Sequence, residues 1–345
     1  MSSIIRPITV DDIRFMVDQH LPEAVWTFGG ALRFDTSLDI IIRNLDRSFP
    51  LRKPGRVAGC PACKWSLDWY TERRPMSMTH YGAAIDNYAA QSVGVVLTFD
   101  NPYISEDMLN DSYANALLTE LYKRDRIHLN AVCVASDLLA DHIRKLYPRL
   151  PLYSHANRVI AERSKRTADL YNKLAERYDR VCLHPVDGTK PAIYTAINKS
   201  ENFDIIINDP LPRTAALRRE HLMLLAEIRR DPYNADLRQR RISLIERDGW
   251  HHVTREALRQ KYSCNLTREE SAALYAVGYR SFIVQASQFR NEMTLLWDIF
   301  QCTLDYSPTL NNKSALIASS VMSAFGAPET DLPSGLRQFS FTHYE

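Results

Sequence analysis

The chain has 345 residues, of which 45% are hydrophobic and 24% charged, a balance that excludes a collagenous rod, a disordered tail and a simple coiled coil. Its 43 basic and 41 acidic side chains leave a formal charge of +2, which gives no general pull towards nucleic acid or anionic lipid. The opening residues, MSSIIRPITVDDIRF, carry acids early and no apolar h-region, so they do not read as a signal peptide. No window approaches the ~18 apolar residues of a membrane span. The expectation is a soluble protein of the cytoplasm, whose six cysteines stay reduced.

In chain order, EAVWTFG (23–29) and MSMTHYG (76–82) read as short strands, and the stretch near 45–80 reads as an insertion. VGVVLTF (93–99) is the clearest apolar run. NAVCVAS (130–136), LPLYSHA (150–156), RVCLHP (180–185), FDIIIND (203–209) and YRSFIVQA (279–286) follow. These runs are continuous rather than alternating, as in parallel strands covered on both faces. Helical patterns fill the gaps at 105–123, 137–146, 159–177 and 213–229. Thr267 and Glu270 form a capping-box signal ahead of a helix over 268–277, which Gly278 ends. Strand alternating with helix implies right-handed βα crossovers. Neither GxGxxG nor GxxxxGK[ST] follows a strand, which disfavours an open nucleotide-binding sheet. The expected fold is α/β, a (β/α)8 TIM-like barrel, complete or distorted, with a small N-terminal insertion. The barrel takes residues 1–305 and a C-terminal extension takes 306–345.

A barrel carries its reactive groups at the C-terminal ends of its strands. Those ends supply His184 and Asp209 for proton transfer, and Asn101, His155, Asn208 and Gln285 to orient a substrate. Arg33 or Arg213 would meet an anionic group. Plainer readings stand beside these. Ser136 and Asp137 precede a helix and read as caps; Asp100-Asn101-Pro102 also makes a good turn; a strand-end histidine is often only a satisfied polar residue. Cys60 and Cys63 in CPAC have the spacing of half a structural zinc site, which Cys264 or His80 would have to complete. No compact set of four cysteines offers itself to an iron–sulfur cluster. Cys133, Cys182 and Cys302 read as core residues. The arginines of 213–241 read as a solvated helix face with intrahelical pairs, against an RNA- or phosphate-binding surface. Trp26, Trp65, Trp69 and Tyr70 with Arg33, Arg73 and Arg74 read as core packing or as a clamp for an aromatic or anionic ligand. GxSxG, HExxH and HxE with PCxxC are absent.

The phrases VGVVLTFDNPYISEDMLNDSYANALL, NAVCVASDLLADHIRKLYPRLPLYSHAN, YDRVCLHP, FDIIINDPLPRTAALRREHLMLLAEI and GYRSFIVQASQF occur in that order. In this the chain resembles the TIM-barrel proteins related to the collagenase-like bacterial peptidases, a group that includes proteins of anaerobic ubiquinone hydroxylation and RNA hydroxylation. The closer likeness is to a poorly characterised branch of barrel proteins. It covers roughly residues 90–300, with EAVWTFGGALR (23–33) as a further match. The positions shared with the resembled proteins are Asn101, Ser136, Asn208, Arg218 or Arg219, and His221. Those proteins tend to carry cysteines in the loop after the strand matching FDIIIND, where this chain has none between Asn208 and His221. They often end the last strand in a KxxGR-like phrase, where this chain has Val284-Gln285-Ala286-Ser287. The resemblance implies the barrel, and its departures argue against iron–sulfur chemistry and peptidase activity.

The expected function is that of a cytosolic barrel enzyme acting on a small polar metabolite or biosynthetic intermediate. The alternatives are an accessory subunit, working with a protein partner or a second copy, and an RNA- or nucleotide-modifying protein.

Overall fold

The computed structural model describes residues 17–32, 54–67, 76–162, 165–209, 215–247 and 264–285, together with Phe15, Ile299, Cys302 and Thr303. Ten strands occur among them. They are β1 (Val25–Gly29), β2 (Arg56–Gly59), β3 (Gly94–Phe99), β4 (Ala131–Val134), β5 (Leu152–Ser154), β6 (Arg180–Leu183), β7 (Phe203–Ile206), β8 (Asn208–Asp209), β9 (Cys264–Asn265) and β10 (Ser281–Val284). Strands β1 to β7 pair in sequence, β10 joins β7, and β1 pairs with β10 to close an eight-stranded parallel barrel. Val25 lies opposite Ser281, and Ser281 opposite Asp204, which fixes the closing register. Strands β8 and β9 form a separate antiparallel pair, continuing the chain beyond β7. The protein is an α/β barrel of the (β/α)8 TIM type, with described helices in every connection from β2 onwards around the barrel.

The helices used below are α1 (Met78–Ala90), α2 (Ser112–Arg124), α3 (Asp137–Leu146), α4 (Asn157–Ala161), α5 (Ala168–Arg177), α6 (Pro185–Gly188), α7 (Pro191–Tyr194), α8 (Ala215–Arg230), α9 (Ala235–Arg247) and α10 (Arg268–Val277). Three sequence expectations change. The supposed strand 76–82 is the start of α1, capped by the Ser77 hydroxyl, which accepts from the His80 amide. Its buried residues Tyr81, Ile85 and Tyr88 recur at helical spacing, a period longer than the window that suggested a strand. The single helix over 159–177 is two helices, α4 and α5. The second barrel strand, Arg56–Gly59, lies inside the stretch read as an insertion. The extension 306–345 lies outside the described residues. No described helix is long and apolar enough to cross a membrane.

Alternation along each strand sorts the core into two parts. Phe28, Val95, Leu97, Phe99, Phe203 and Phe282 face the helices and join the large core with Leu117, Leu121, Ile143 and Leu274. Each such fully buried side chain contributes roughly 1.5–3 kcal/mol. The opposite face is sparser. Ala58, Val96, Ala131, Cys133 and Tyr153 make one small cluster, and Ala156, Cys182, Ile206 and Ile283 another.

The first turns of the strands add a charged layer. The Asp204 carboxylate accepts from Arg180 Nε at 2.9 Å and from Arg56 Nη2 at 3.4 Å, while Arg56 Nη2 also donates to Ser281 Oγ at 2.8 Å. Arg56 stacks 5.4 Å from the centre of the Tyr153 ring. These groups stand at the N-terminal ends of β2, β6, β7 and β10, the end of a barrel that serves stability rather than chemistry.

Candidate functional site

Because all eight barrel strands are parallel, their C-terminal ends meet at one rim. Cys60 follows β2, Asp100 and Asn101 follow β3, and His155 follows β5. His184 follows β6, Asn208 and Asp209 follow β7, and Gln285 follows β10. The rim therefore brings together six of the eight residues offered for catalysis and substrate contact. Arg33 and Arg213 lie outside the described residues.

Two asparagines hold the rim itself. Asn208 Nδ2 donates to the Gln285 carbonyl at 2.8 Å and Oδ1 accepts the Gln285 amide at 2.7 Å, bridging β7 to β10 as a strand would. Asn101 is fully buried; its Nδ2 donates to the Lys64 carbonyl at 3.1 Å and its Oδ1 accepts the Tyr103 amide at 2.9 Å. That second bond is the side-chain turn expected of Asn ahead of Pro102. Ser136 caps α3 by accepting from the Leu139 amide, as its place before the helix suggested, whereas Asp137 is the first residue of α3 and pairs with Arg158 instead of capping.

The Asp209 carboxylate is 1% exposed and forms an ion pair with Arg218 of α8, itself 2% exposed. Breaking an ion pair so buried by removing one partner is costly, which makes the pair part of the framework. The expectation that Asp209 moves protons therefore meets a competing structural role. Just after β3, Asp100 Oδ1 accepts the Leu67 amide at 2.7 Å and the Cys60 thiol at 3.4 Å. The Asn157 side chain donates to the Asp100 carbonyl at 2.9 Å and ties α4 to the end of β3.

The two rim histidines share one device. In each, Nδ1 accepts the backbone amide two residues on: Asn157 N to His155 at 3.2 Å and Val186 N to His184 at 3.2 Å. With Nδ1 an acceptor, the neutral ring carries its hydrogen on Nε2. Burial lowers the pKa of His155 against the opposing pull of Asp100 and Asp209. Burial lowers that of His184 far more, and Arg218, Arg166 and Lys190 push it the same way. Both rings are therefore neutral donors at neutral pH. They differ in access: His155 is partly buried, whereas His184 is 0% exposed. The proton-accepting role expected of His184 conflicts with this charge environment, which penalises the imidazolium.

Sequence reasoning missed the group behind His184. Asp187 is fully buried in α6 and accepts from Arg166 Nε at 2.6 Å, the Tyr171 hydroxyl at 2.8 Å and Lys190 Nζ at 3.1 Å. The only local signal was an acid four residues past a strand end, in HPVDG.

The CPAC pair does not act as a unit. Cys60 is partly exposed and donates to Asp100, while Cys63 is buried against Ser66 Oγ at 3.5 Å. Burial pushes the Cys63 thiol up to about 12, so without a metal it stays protonated. Among the described residues, no group of three or more His, Cys, Asp or Glu side chains is placed to hold a metal ion. Trp26 and Trp65 are core residues, 5.5 Å from Phe282 and 5.1 Å from Phe99 by ring centres. Trp69, Tyr70, Arg73 and Arg74 lie outside the described residues. Three arginines of α8 bond to backbone carbonyls outside their own helix. Arg219 donates to the Ile160 carbonyl, Arg229 to that of Ser66, and Arg230 to that of Tyr103.

No protein-family model matches the chain, and none of the curated proteins searched matches it. Among solved structures, that of a U32 peptidase aligns over 83% of this chain and 96% of its own, with 12% identity and a TM-score of 0.45.

Proposed function

We propose that the protein is a cytosolic enzyme that binds a small polar molecule at the barrel rim, with His155 as the group that meets the reacting atoms. The observation that carries this is the placement of His155: a partly exposed neutral imidazole at the end of β5, under the field of Asp100 and Asp209. Its Nε2–H is a donor suited to a developing negative charge on a substrate oxygen. The two nearby carboxylates stabilise the imidazolium if a proton is taken up, so the ring can work in either direction of acid–base chemistry. Asp100 also accepts from the Cys60 thiol, which ties the end of β2 to that of β3.

A second reading, a non-catalytic accessory barrel, is favoured by a different observation. Asn101, Asn208 and Asp209 all have protein partners, which leaves fewer groups for a substrate. One experiment separates the two. The purified full-length chain is incubated with a polar metabolite extract, and consumption is followed by untargeted mass spectrometry, with His155→Asn as the control. Depletion of a polar compound by the wild type and not by the variant is the expected result. No depletion, or equal depletion by both, overturns the catalytic reading.

A further inference from the structure

The inside of a (β/α)8 barrel is usually filled in layers by bulky branched side chains. This barrel is lined more thinly. Ala58, Ala131 and Cys133 point inward from β2 and β4, and Cys182 from β6. Among the described residues the two inward clusters stay separate and do not join across the axis. Exposure follows the same alternation. Val57 and Gly59 are buried, whereas Ala58 between them is partly exposed. Strand β2 is hydrogen-bonded along both edges, so the surface of Ala58 faces the lumen. Thr98 between Leu97 and Phe99, and Ile283 between Phe282 and Val284, repeat the pattern on β3 and β10, which are also paired on both edges. A core packed to ordinary density leaves no such surface at mid-strand. The eight barrel strands carry three charged residues, Arg56, Arg180 and Asp204, and all three lie in the ionic layer at the bottom. From that floor to Cys60 at the rim is four residues of chain, or ~13 Å of extended strand.

We propose that the lumen beneath the rim is a slot for the apolar part of the bound molecule, a single ring or a short hydrocarbon chain, whose polar end stays at the rim beside His155. Between floor and rim the inward side chains are aliphatic, thiol, hydroxyl or phenol, and a charged group placed among them would lose its hydration without gaining a counter-ion. An apolar group loses nothing there and leaves water, which strengthens binding about fourfold for each methylene buried. The assignment of the polar end rests on reading the rim as a small-molecule site. The slot itself does not require that His155 catalyse anything.

The test uses the full-length protein, with n-butanol, n-pentanol and n-hexanol as probes and glycerol as the polar control. Isoleucine δ-methyl resonances report on both faces of the barrel wall at once. Ile206 and Ile283 line the slot, whereas Ile205 and Ile207 face the helices. The expected result is a saturable shift of the Ile206 and Ile283 methyls with each alcohol and none with glycerol, while Ile205 and Ile207 stay in place. Affinity should rise about fourfold per added methylene. Ala58→Leu fills the slot from β2 and should abolish the saturable shift; Thr98→Leu does the same from β3 and serves if the first variant does not fold. His155→Asn should keep n-hexanol binding, so failure of the metabolite assay and failure of the slot are separate results. A shift that does not saturate, an equal response on both faces of the wall, an affinity indifferent to chain length, or full binding by a filled variant overturns the proposal.

Discussion

Acid should weaken this fold through His184 before it affects any carboxylate. The unfolded imidazole has a pKa near 6.5, and the folded one lies well below it because burial and the cations of Arg218, Arg166 and Lys190 all oppose the charged form. Between those two values the unfolded chain binds a proton that the folded chain refuses. Stability therefore rises with pH, is fully present above 6.5, and falls as the pH drops below that value until the folded ring itself protonates. From about pH 7 to about pH 5.5 this one group should remove about 1.2 kcal/mol, close to the limiting slope of ~1.4 kcal/mol per pH unit at the acid end. The assay is urea unfolding of the wild type and His184→Asn at several pH values over that range, read as the difference between the two slopes. Taking the difference matters, since His20, His142 and His155 are also held below their ordinary value by burial and titrate in both proteins. Identical slopes would mean that the ring takes up its proton in the folded state, and the argument from desolvation and cation repulsion would fail.

Asp209→Asn removes the carboxylate paired with the buried Arg218 and should cost about 3–5 kcal/mol in urea unfolding; a variant of near wild-type stability would show that the pair is not what holds α8 on the rim. Asn208→Ala removes both bonds to the Gln285 backbone, and about 1–3 kcal/mol with them. Hydrogen exchange at the Gln285 amide should quicken, since that amide loses its acceptor. In alkylation with iodoacetamide followed by peptide mapping, Cys60 should be modified while Cys63, pushed up to about 12 by burial, stays intact in the native protein. Gly278→Ala should destabilise the C-terminal end of α10 by about 1–2 kcal/mol, because φ is +111° there and an added Cβ would come within 2.5 Å of Ser200 Oγ.

The barrel was legible where a wall segment carries its own signal. VGVVLTF is apolar on both faces because β3 is buried on both, and 137–146 and 268–277 announced their ends through Ser136, Thr267 and Gly278. Strand β2 has no such signal. RVAG is four residues long and begins with a charge that points into the ionic layer, so it reads as loop. It becomes a strand only through its neighbours, with Thr27 beside Arg56 and Val57 beside Val95. The rim followed the same rule. Polar residues after apolar runs gave its position, since parallel strands end together. What each residue does there depends on partners far along the chain: Cys60 lies 40 residues from Asp100, and Asn208 lies 77 from Gln285. Spacing along a sequence carries no trace of such meetings.

Commitment of side chains decides which rim residues are free to recognise a ligand. An asparagine with both ends bonded to backbone gives up about 1 kcal/mol for each bond it breaks, so turning towards a substrate returns little net free energy. By that measure Asn101 and Asn208 are frame, and Asp209 is frame more strongly because its bond is to a buried charged partner, Arg218. The histidines differ in kind. Each gives Nδ1 to the backbone, which fixes the ring, and neither uses Nε2 on another described residue. A fixed ring with one uncommitted N–H is already oriented before a ligand arrives, and its bond to that ligand displaces no other contact. Recognition at this rim should therefore run through His155, the accessible one of the two rings, with the asparagines setting the distance between the strands around it.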